Sequence, residues 1–282
     1  MAVRTWWRAV RPHLPRAAIH GVACGYREYL RLRCLYEGVR ERPGLKAVGF
    51  EAVPPPFLRY RVDGSTDLRH FLVVGERIAG DMEAALRAVG EDLASFRAIL
   101  DFGCGCGRTL LWIQRKYPAL AGRLHGTDID AEAIRWCRRH LGFARFAVNG
   151  ARPPLDAAEG AFDFVYGISV FTHLDAEYQR AWLQELARVT RPGGIVLLTV
   201  HGPSCAERLD PALRGRLLDE GFLFVETDST RGLFPAWYQV SYQTPAQVRA
   251  SFGQYFSVLA QIPRGIGDHQ DAVVLRREAA GI

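Results

Sequence analysis

Apolar positions follow two different spacings along most of this chain. Short apolar runs, typical of buried strands, occur at residues 98–101, 123–128, 144–148, 162–168 and 194–200. Between these runs, apolar residues return every three or four positions, which predicts helices at 107–117, 131–141 and 176–190. Strands that alternate with helices form a parallel sheet with right-handed crossovers. The pattern therefore predicts an α/β fold.

The residues before the first of these strands are organised differently. From Arg16 to about Arg40, apolar residues recur at helical spacing, and a second helical pattern covers residues 67–89. The segment 43–66 holds Pro54-Pro55-Pro56, from which we expect an extended linker. We therefore divide the chain into an amphipathic helical arm (1–42), a linker and helical lid (43–96) and a core (97–282).

Positive charge is concentrated near the N-terminus. The formal charge is +6, and residues 1–60 hold eleven Lys/Arg against four Asp/Glu. Three interpretations of the arm stay open: packing on the body or on a second copy, binding to an anionic membrane surface or partner, and a transit peptide. No run approaches eighteen apolar residues, and the six cysteines show no disulfide spacing, so we expect a cytoplasmic protein.

The stretch Asp101-Phe102-Gly103-Cys104-Gly105-Cys106-Gly107 joins the first core strand to its helix. Glycines allow positive φ and let a nucleoside cofactor approach the backbone closely. A dinucleotide-binding turn has the spacing G-x-G-x-x-G, but Arg108 stands where its third glycine would be. Asp101 suits a cationic amino-acid ligand, and Asp128, which closes the second strand, suits a ribose diol.

These residues resemble the S-adenosylmethionine-binding core of class I methyltransferases, of the bacterial small-molecule type. The similarity continues through Gly160–Tyr166 and Leu186–Gly194, so that it covers roughly residues 97–200. It implies a Rossmann-like, seven-stranded, mostly parallel sheet with helices on both faces and an antiparallel terminal hairpin near 255–262 and 271–276. It also implies S-adenosyl-L-methionine as cofactor and S-adenosyl-L-homocysteine as product.

The resemblance implies a cofactor site at the carboxyl ends of the strands. In it, Asp101 and the glycines hold the methionyl half, Asp128 holds the ribose, and Ile129 lies on the adenine face. The family usually places an acid near Asn149, so Asn149 or a backbone carbonyl has to accept the adenine amino group here. By the same resemblance, residues 59–71 would help to enclose the ligand. The predicted cofactor residues are Asp101, Gly103, Cys104, Gly105, Gly107, Asp128, Ile129, Asn149, Gly150 and Ser169.

Three histidines map to the same edge of the sheet: His173, His201 and His269. Methyl transfer is an in-line attack on a sulfonium methyl, for which an enzyme aligns the nucleophile, excludes water and deprotonates a hydroxyl. Each histidine is a candidate base, although a purely structural role for His173 is an alternative. A metal held by the trio, with Asp268 or Asp271 nearby, has no support from ligand spacing, so we expect no metal.

The sequence lacks two motifs that are typical of particular classes of methyl acceptor. The fourth strand does not end in the Asn/Asp-Pro-Pro-aromatic signature of nucleobase and glutamine amide methylation, and no Pro-Cys nucleophile is present. By elimination, we expect a small organic acceptor, methylated at oxygen, and no nucleic acid, while an N- or S-acceptor, a phosphate or a carboxylate stays open. The alternatives are a nucleic-acid or protein methyltransferase docked by the basic arm, a catalytically silent cofactor-binding scaffold, and a dehydrogenase, which Arg108 disfavours. The aromatic excursion at 203–243 predicts either a cap over the acceptor or an added β-hairpin.

Overall fold

A computed structural model of the chain describes residues 16–41, 49–50, 52–225 and 239–278. The strands of this structure are β1 (Ile99–Phe102), β2 (Leu124–Asp128), β3 (Ala144–Val148), β4 (Phe162–Gly167), β5 (Thr190–Val200), β6 (Phe222–Val225), β7 (Val240–Gln243), β8 (Ser257–Ile266) and β9 (Gln270–Arg276). The helices are α1 (Arg16–Glu41), α2 (Pro56–Asp63), α3 (Leu68–Arg87), α4 (Arg108–Lys116), α5 (Ala131–His140), α6 (Ala176–Val189), α7 (Pro203–Ala206), α8 (Pro211–Glu220) and α9 (Pro245–Phe252).

Seven strands form one sheet in the order β3-β2-β1-β4-β5-β9-β8. Neighbours from β3 to β5 pair in parallel, while β9 is antiparallel to both β5 and β8. The predicted fold class is thereby confirmed, including the antiparallel terminal hairpin. Because β1 lies between β2 and β4, the chain reverses its order of strands there. In open sheets, ligands bind at this kind of reversal, beyond the carboxyl ends of the strands.

Successive residues of the central strands enter two different cores. Ile99, Phe164 and Ile195 pack with α3, α4 and α5 on one face of the sheet. Their neighbours Leu100, Val165 and Val196 pack with α6 and α9 on the other face. Side chains alternate across a strand, so a strand covered on both sides has to be apolar at every position. This burial fixes the register of the sheet and hence the position of its loops.

Helix α2 begins within the proline run that predicted an extended linker. Pro55 is the N-cap and Pro56 occupies the first turn, where an amide hydrogen has no helical partner and proline is therefore tolerated. The helix ends at Gly64, whose φ of 72° is left-handed. The expectation of an extended linker was wrong for these residues, because proline favours a helix start as well as an extended chain.

Arg59 anchors α2 to its surroundings. The side chain is 1% exposed, and its guanidinium donates to the carbonyl oxygens of Pro54 (2.7 Å) and Thr66 (2.7 Å). It also forms an ion pair with Glu41 of α1, with nitrogen and oxygen 2.6 Å apart. A planar fork of five N–H donors can satisfy several acceptors at once. Arg59 thus joins α1, α2 and the turn before α3.

Strands β6 and β7 pair antiparallel as a separate two-stranded sheet. This confirms the added hairpin predicted within residues 203–243 as far as its strands are concerned. The residues between them, including Phe234, Trp237 and Tyr238, lie outside the described part, as do residues 1–15 of the arm. Among the helices that the structure describes, none is long and apolar enough to cross a membrane.

Candidate functional site

The turn after β1 has the backbone conformation that its glycines predicted. Gly103 and Gly105 have φ values of 81° and 53°. A Cβ on Gly103 would lie 2.3 Å from Cγ2 of Val170, in the loop after β4, and one on Gly105 would lie 2.9 Å from Cγ2 of Val62, in α2. Both distances are shorter than real carbon contacts. The turn is therefore packed between the loop after β4 and helix α2. Only glycine fits at either position.

Asp128 at the end of β2 holds this turn in place. Its Oδ2 accepts a hydrogen bond from the Gly105 amide at 2.7 Å, and its Oδ1 accepts one from the Asp130 amide at 2.8 Å. Burial raises the pKa of Asp128, and these two amide hydrogen bonds oppose that rise. Each carboxylate oxygen has a second lone pair, so Asp128 can brace the turn and still accept from a ligand hydroxyl.

Asp101 is buried beside the turn, at the carboxyl end of β1. Burial raises its pKa to about 8, and the charge of Asp128 acts in the same direction. Tyr166 and Arg108 oppose the rise without cancelling it. A carboxyl group in this setting is neutral at physiological pH until a cation approaches it. The site can therefore take up a ligand cation with release of a proton.

The ends of β2 and β3 place apolar surface next to hydrogen-bonding groups. Ile129 is 39% exposed and Val148 is 44% exposed, which is unusual for large aliphatic side chains in this protein. Asn149 follows Val148, and its buried Oδ1 has no hydrogen-bond partner, although its Nδ2 donates to the Gly150 carbonyl at 2.8 Å. Sequence reasoning missed Val148, because an apolar residue at a strand end does not differ from an ordinary core position.

Three further predicted cofactor residues have structural roles or contacts within the protein. Gly107 is the N-cap of α4, and the buried Cys104 thiol, whose pKa burial raises well above its usual value, lies 3.7 Å from the Gly105 carbonyl oxygen. Ser169 has a φ of 60°, its amide donates to Thr199 Oγ1 at 2.7 Å, and its hydroxyl contacts the Gln270 amide group. These residues shape the turn and the β4 loop.

Helix α2 covers the turn and is tied to the β2 end by Arg61. The Arg61 guanidinium forms ion pairs with Asp130 (2.7 Å) and Glu132 (2.8 Å) and lies 4.8 Å from the ring centroid of Phe57. Residues of α2 therefore lie next to the glycine turn, and that residues 59–71 enclose a cofactor stays a prediction.

Replacing Arg61 with methionine should weaken binding of S-adenosylhomocysteine only slightly, by about threefold, since partly exposed ion pairs contribute at most about 1 kcal/mol. Calorimetric titration measures this change. Arg77→Met removes the same charge from the exposed face of α3 and should leave the affinity unchanged. A loss of tenfold or more in R61M would show that Arg61 contacts the ligand directly.

Two of the three predicted histidines form hydrogen bonds with backbone carbonyls of strand β7 or of the residue before it. His173 Nδ1 lies 2.7 Å from the Gln239 carbonyl oxygen, and His201 Nδ1 lies 3.1 Å from the Ser241 carbonyl oxygen. A carbonyl can only accept, so Nδ1 carries the proton in both rings and the lone pair is on Nε2. Burial lowers the pKa of each histidine to about 4, and for His201 the neighbouring histidines add to this effect. Both are neutral at physiological pH.

The third histidine, His269, lies in the turn between β8 and β9 and is exposed. Its ring centroid is 5.5 Å from that of His201, whereas the centroids of His173 and His201 are 6.5 Å apart. The structure also brings Cys205 of α7 to this pair, a residue that sequence reasoning missed. The spacing His201-x-x-x-Cys205 was the available signal, and it was not recognised because α7 was not predicted.

A groove of about 500 Å³ lies elsewhere, between α1, α3 and α4, and is lined by residues such as Phe50, Leu72 and Trp112. None of the predicted site residues contributes to it. Its position away from the carboxyl ends of the parallel strands separates it from the candidate site.

Known proteins share this fold and these motifs. Residues 99–194 match the family described as a methyltransferase domain. The chain is 25% identical over 189 residues to a tRNA N(3)-methylcytidine methyltransferase of Schizosaccharomyces pombe, a match that covers 64% of this chain and 58% of that protein. It is 32% identical over 109 residues to a fatty-acid O-methyltransferase of Mycolicibacterium smegmatis, a match that covers 38% of each protein.

Among solved structures, an S-adenosylmethionine-dependent methyltransferase from Mesorhizobium loti has the same fold, with a TM-score of 0.53 at 15% identity over 70% of this chain and 98% of that one. The chain spans between 38% and 58% of the length of the two curated relatives. The matched domain carries the glycine turn, Asp128 and the β4 and β5 motifs that predicted this family. Residues 99–194 are therefore a methyltransferase domain, and the fold around them is that of S-adenosylmethionine-dependent methyltransferases.

Proposed function

We propose that this protein transfers the methyl group of S-adenosylmethionine to an oxygen atom of a small organic acceptor. The observation that carries the proposal is the placement of two neutral, partly buried histidines, His173 and His201, at the same sheet edge as the braced glycine turn. Val170, which packs on Gly103, and His173 belong to the same loop after β4. The cofactor turn and a candidate base are thus joined by one short segment. The fatty-acid O-methyltransferase of M. smegmatis, at 32% identity over 109 residues, is a relative that acts at oxygen.

The chain's own residues fit the cofactor. Asp101 would receive the ammonium group of the methionyl half, and Asp128 would accept hydrogen bonds from the ribose hydroxyls. Ile129 and Val148 would cover the adenine, whose amino group would donate to the unpartnered Oδ1 of Asn149. When bound, the cofactor supplies an electrophilic methyl group on a sulfonium. The lid helix α2 would exclude water from it.

His173 is the histidine that we assign as general base. Its Nδ1 donates to the Gln239 carbonyl, so the lone pair is on Nε2, the atom that would accept a proton from an acceptor hydroxyl. With a pKa of about 4, His173 is in the basic form throughout the physiological range. His201 shares these properties, but it follows β5, one strand further from the turn. His269 is exposed to solvent and less suited to a water-excluding site.

A transfer assay with methyl-labelled S-adenosylmethionine tests the proposal. Candidate acceptors are carboxylic acids, phenols and aliphatic alcohols, with bulk tRNA and amines as competing classes. We expect label in an oxygen-bound methyl group. His173→Asn should lower turnover about tenfold, while the affinity for S-adenosylhomocysteine should stay unchanged. The expected loss of turnover is modest because an acceptor that is already ionised needs little help from a base. Equal turnover in H173N and wild type would remove His173 from the mechanism.

A nucleic-acid acceptor is the second candidate. The basic N-terminal segment and the similarity to a tRNA methyltransferase, at 25% identity, favour it. This hypothesis requires that the protein bind RNA, that the affinity fall steeply as the salt concentration rises, and that binding be lost when residues 1–42 are deleted. Label in tRNA and none in any small acceptor would replace the first proposal. Cofactor binding with no labelled product in either class would favour a catalytically silent scaffold.

A further inference from the structure

Two histidines and a cysteine from three separate segments meet at the carboxyl end of β5. His201 directly follows β5, Cys205 lies in α7, and His269 lies in the β8–β9 turn. One nitrogen or sulfur atom from each lies within 4.8 Å of the others. Cys205 Sγ is 3.7 Å from His269 Nδ1. In a tetrahedral zinc site, Zn–S near 2.3 Å and Zn–N near 2.0–2.1 Å place sulfur and nitrogen about 3.6 Å apart.

The surrounding protein orients these groups. The Ser241 carbonyl holds the Nδ1 proton of His201, which directs the lone pair of Nε2 toward a ligand, as second-sphere carbonyls do for metal-binding histidines. The loop between His201 and Cys205 is packed tightly, since a Cβ on Gly202 would lie 2.0 Å from Asp271 Oδ2. The backbone that carries His201 and Cys205 is therefore held in place by packing against Asp271.

A buried carboxylate lies beside this cluster. Asp271 is 1% exposed, and its carboxylate accepts hydrogen bonds from the Gln261 side chain (3.1 Å) and the Arg264 amide (3.1 Å). The carboxylate group thus lies beside the loop that carries His201 and Cys205. The charge of Arg264 itself is directed to the exposed Asp268, 3.0 Å away.

We propose that His201, Cys205 and His269 bind one divalent transition metal ion, with Zn²⁺ the best match to the donor set. Two imidazoles and one thiolate are borderline-soft ligands, which favour zinc over magnesium or calcium. Binding forms a bond between the metal and Cys205 Sγ, and the thiol proton, which now faces the His269 carbonyl oxygen at 2.8 Å, passes to solvent. Three protein ligands leave one coordination position for water or another small ligand.

This site was not expected from the sequence, in which ligand spacing gave no support to a metal held by His173, His201 and His269. In the folded protein, Cys205 and not His173 lies next to His201 and His269. The metal site uses none of the residues assigned to the cofactor, and His173 keeps its separate role. The metal site is therefore independent of whether the methyl acceptor is a small molecule or RNA.

Cobalt titration of reduced, tag-free full-length protein tests the site directly. We expect one Co²⁺ per chain, with a sulfur-to-cobalt charge-transfer band in the near ultraviolet and visible bands of tetrahedral intensity. Zn²⁺ should displace the cobalt. Added azide should shift the visible bands, because one coordination position is held by an exchangeable ligand.

Variants separate a built site from incidental binding. Cys205→Ser should abolish the charge-transfer band, and His269→Asn should weaken binding at least tenfold. His269 is exposed, so H269N should fold normally, which circular dichroism can verify. Cys34→Ser and His140→Asn alter the same residue types outside the cluster and should bind cobalt as wild type does. No stoichiometric binding by wild type, or an undiminished band in C205S, would overturn the proposal.

Discussion

Replacing Asp128 with alanine is expected to weaken the binding of S-adenosylhomocysteine by about 3–4 kcal/mol, or several hundredfold. Two losses combine in this variant. The ribose hydroxyls lose a carboxylate acceptor, and the amides of Gly105 and Asp130 lose the hydrogen bonds that hold the glycine turn, at 2.7 and 2.8 Å. Calorimetric titration gives the affinity, and thermal unfolding without ligand shows how far the turn itself is destabilised.

Asp92→Ala is the matched control for this measurement. Asp92 also accepts a hydrogen bond from a backbone amide, that of Ala94 at 3.0 Å, but it precedes β1 at the opposite edge of the sheet. It should lower stability without changing affinity. Asp128→Asn keeps one acceptor oxygen and should fall between wild type and D128A. Unchanged affinity in D128A would exclude Asp128 from the cofactor site.

The parts of the fold that follow from local pattern were predictable from sequence. Each central strand is apolar at successive positions because both faces of the sheet are covered, as Leu100 and Val165 show. The glycine turn was predictable because a positive φ and close packing exclude side chains at Gly103 and Gly105. The end of β2 was predictable too, since Asp128 directly follows an apolar run.

The parts that depend on distant contacts were not predictable. Helix α2 is fixed by Arg59, whose partners lie up to eighteen residues away, and its prolines are compatible with two conformations. His201 depends on Ser241, forty residues later, and Cys205 meets His269 across sixty-four residues. Residue type and spacing place His201 and His269 at one edge of the sheet, but they do not identify the contacts that these residues make. In this protein, the cofactor turn is a local feature of the chain, whereas the histidine cluster is produced by the tertiary fold.

Asp101 gives the protein a pH-dependent stability and a pH-dependent affinity for its cofactor. Its folded pKa of about 8 lies above its ordinary value of 3.8, so the folded state binds its proton more tightly than the unfolded chain does. Its contribution to stability is therefore present at low pH and is lost as pH rises from about 4 to about 8. A bound ammonium group reverses this effect, because it favours the carboxylate. Cofactor binding should consequently release a proton.

The affinity for S-adenosylhomocysteine should rise about fiftyfold between pH 6, where about 1% of Asp101 is ionised, and pH 8, where about half is ionised. Asp101→Asn resembles the protonated form, so we expect it to bind at all pH values about as weakly as wild type does at pH 6. His173 and His201, with pKa values of about 4, do not titrate in this range. Calorimetry in buffers of different ionisation enthalpy measures the released proton directly. Equal pH dependence in D101N and wild type would place the ammonium group elsewhere, and the cofactor's amino-acid end would then be held by the glycine turn alone.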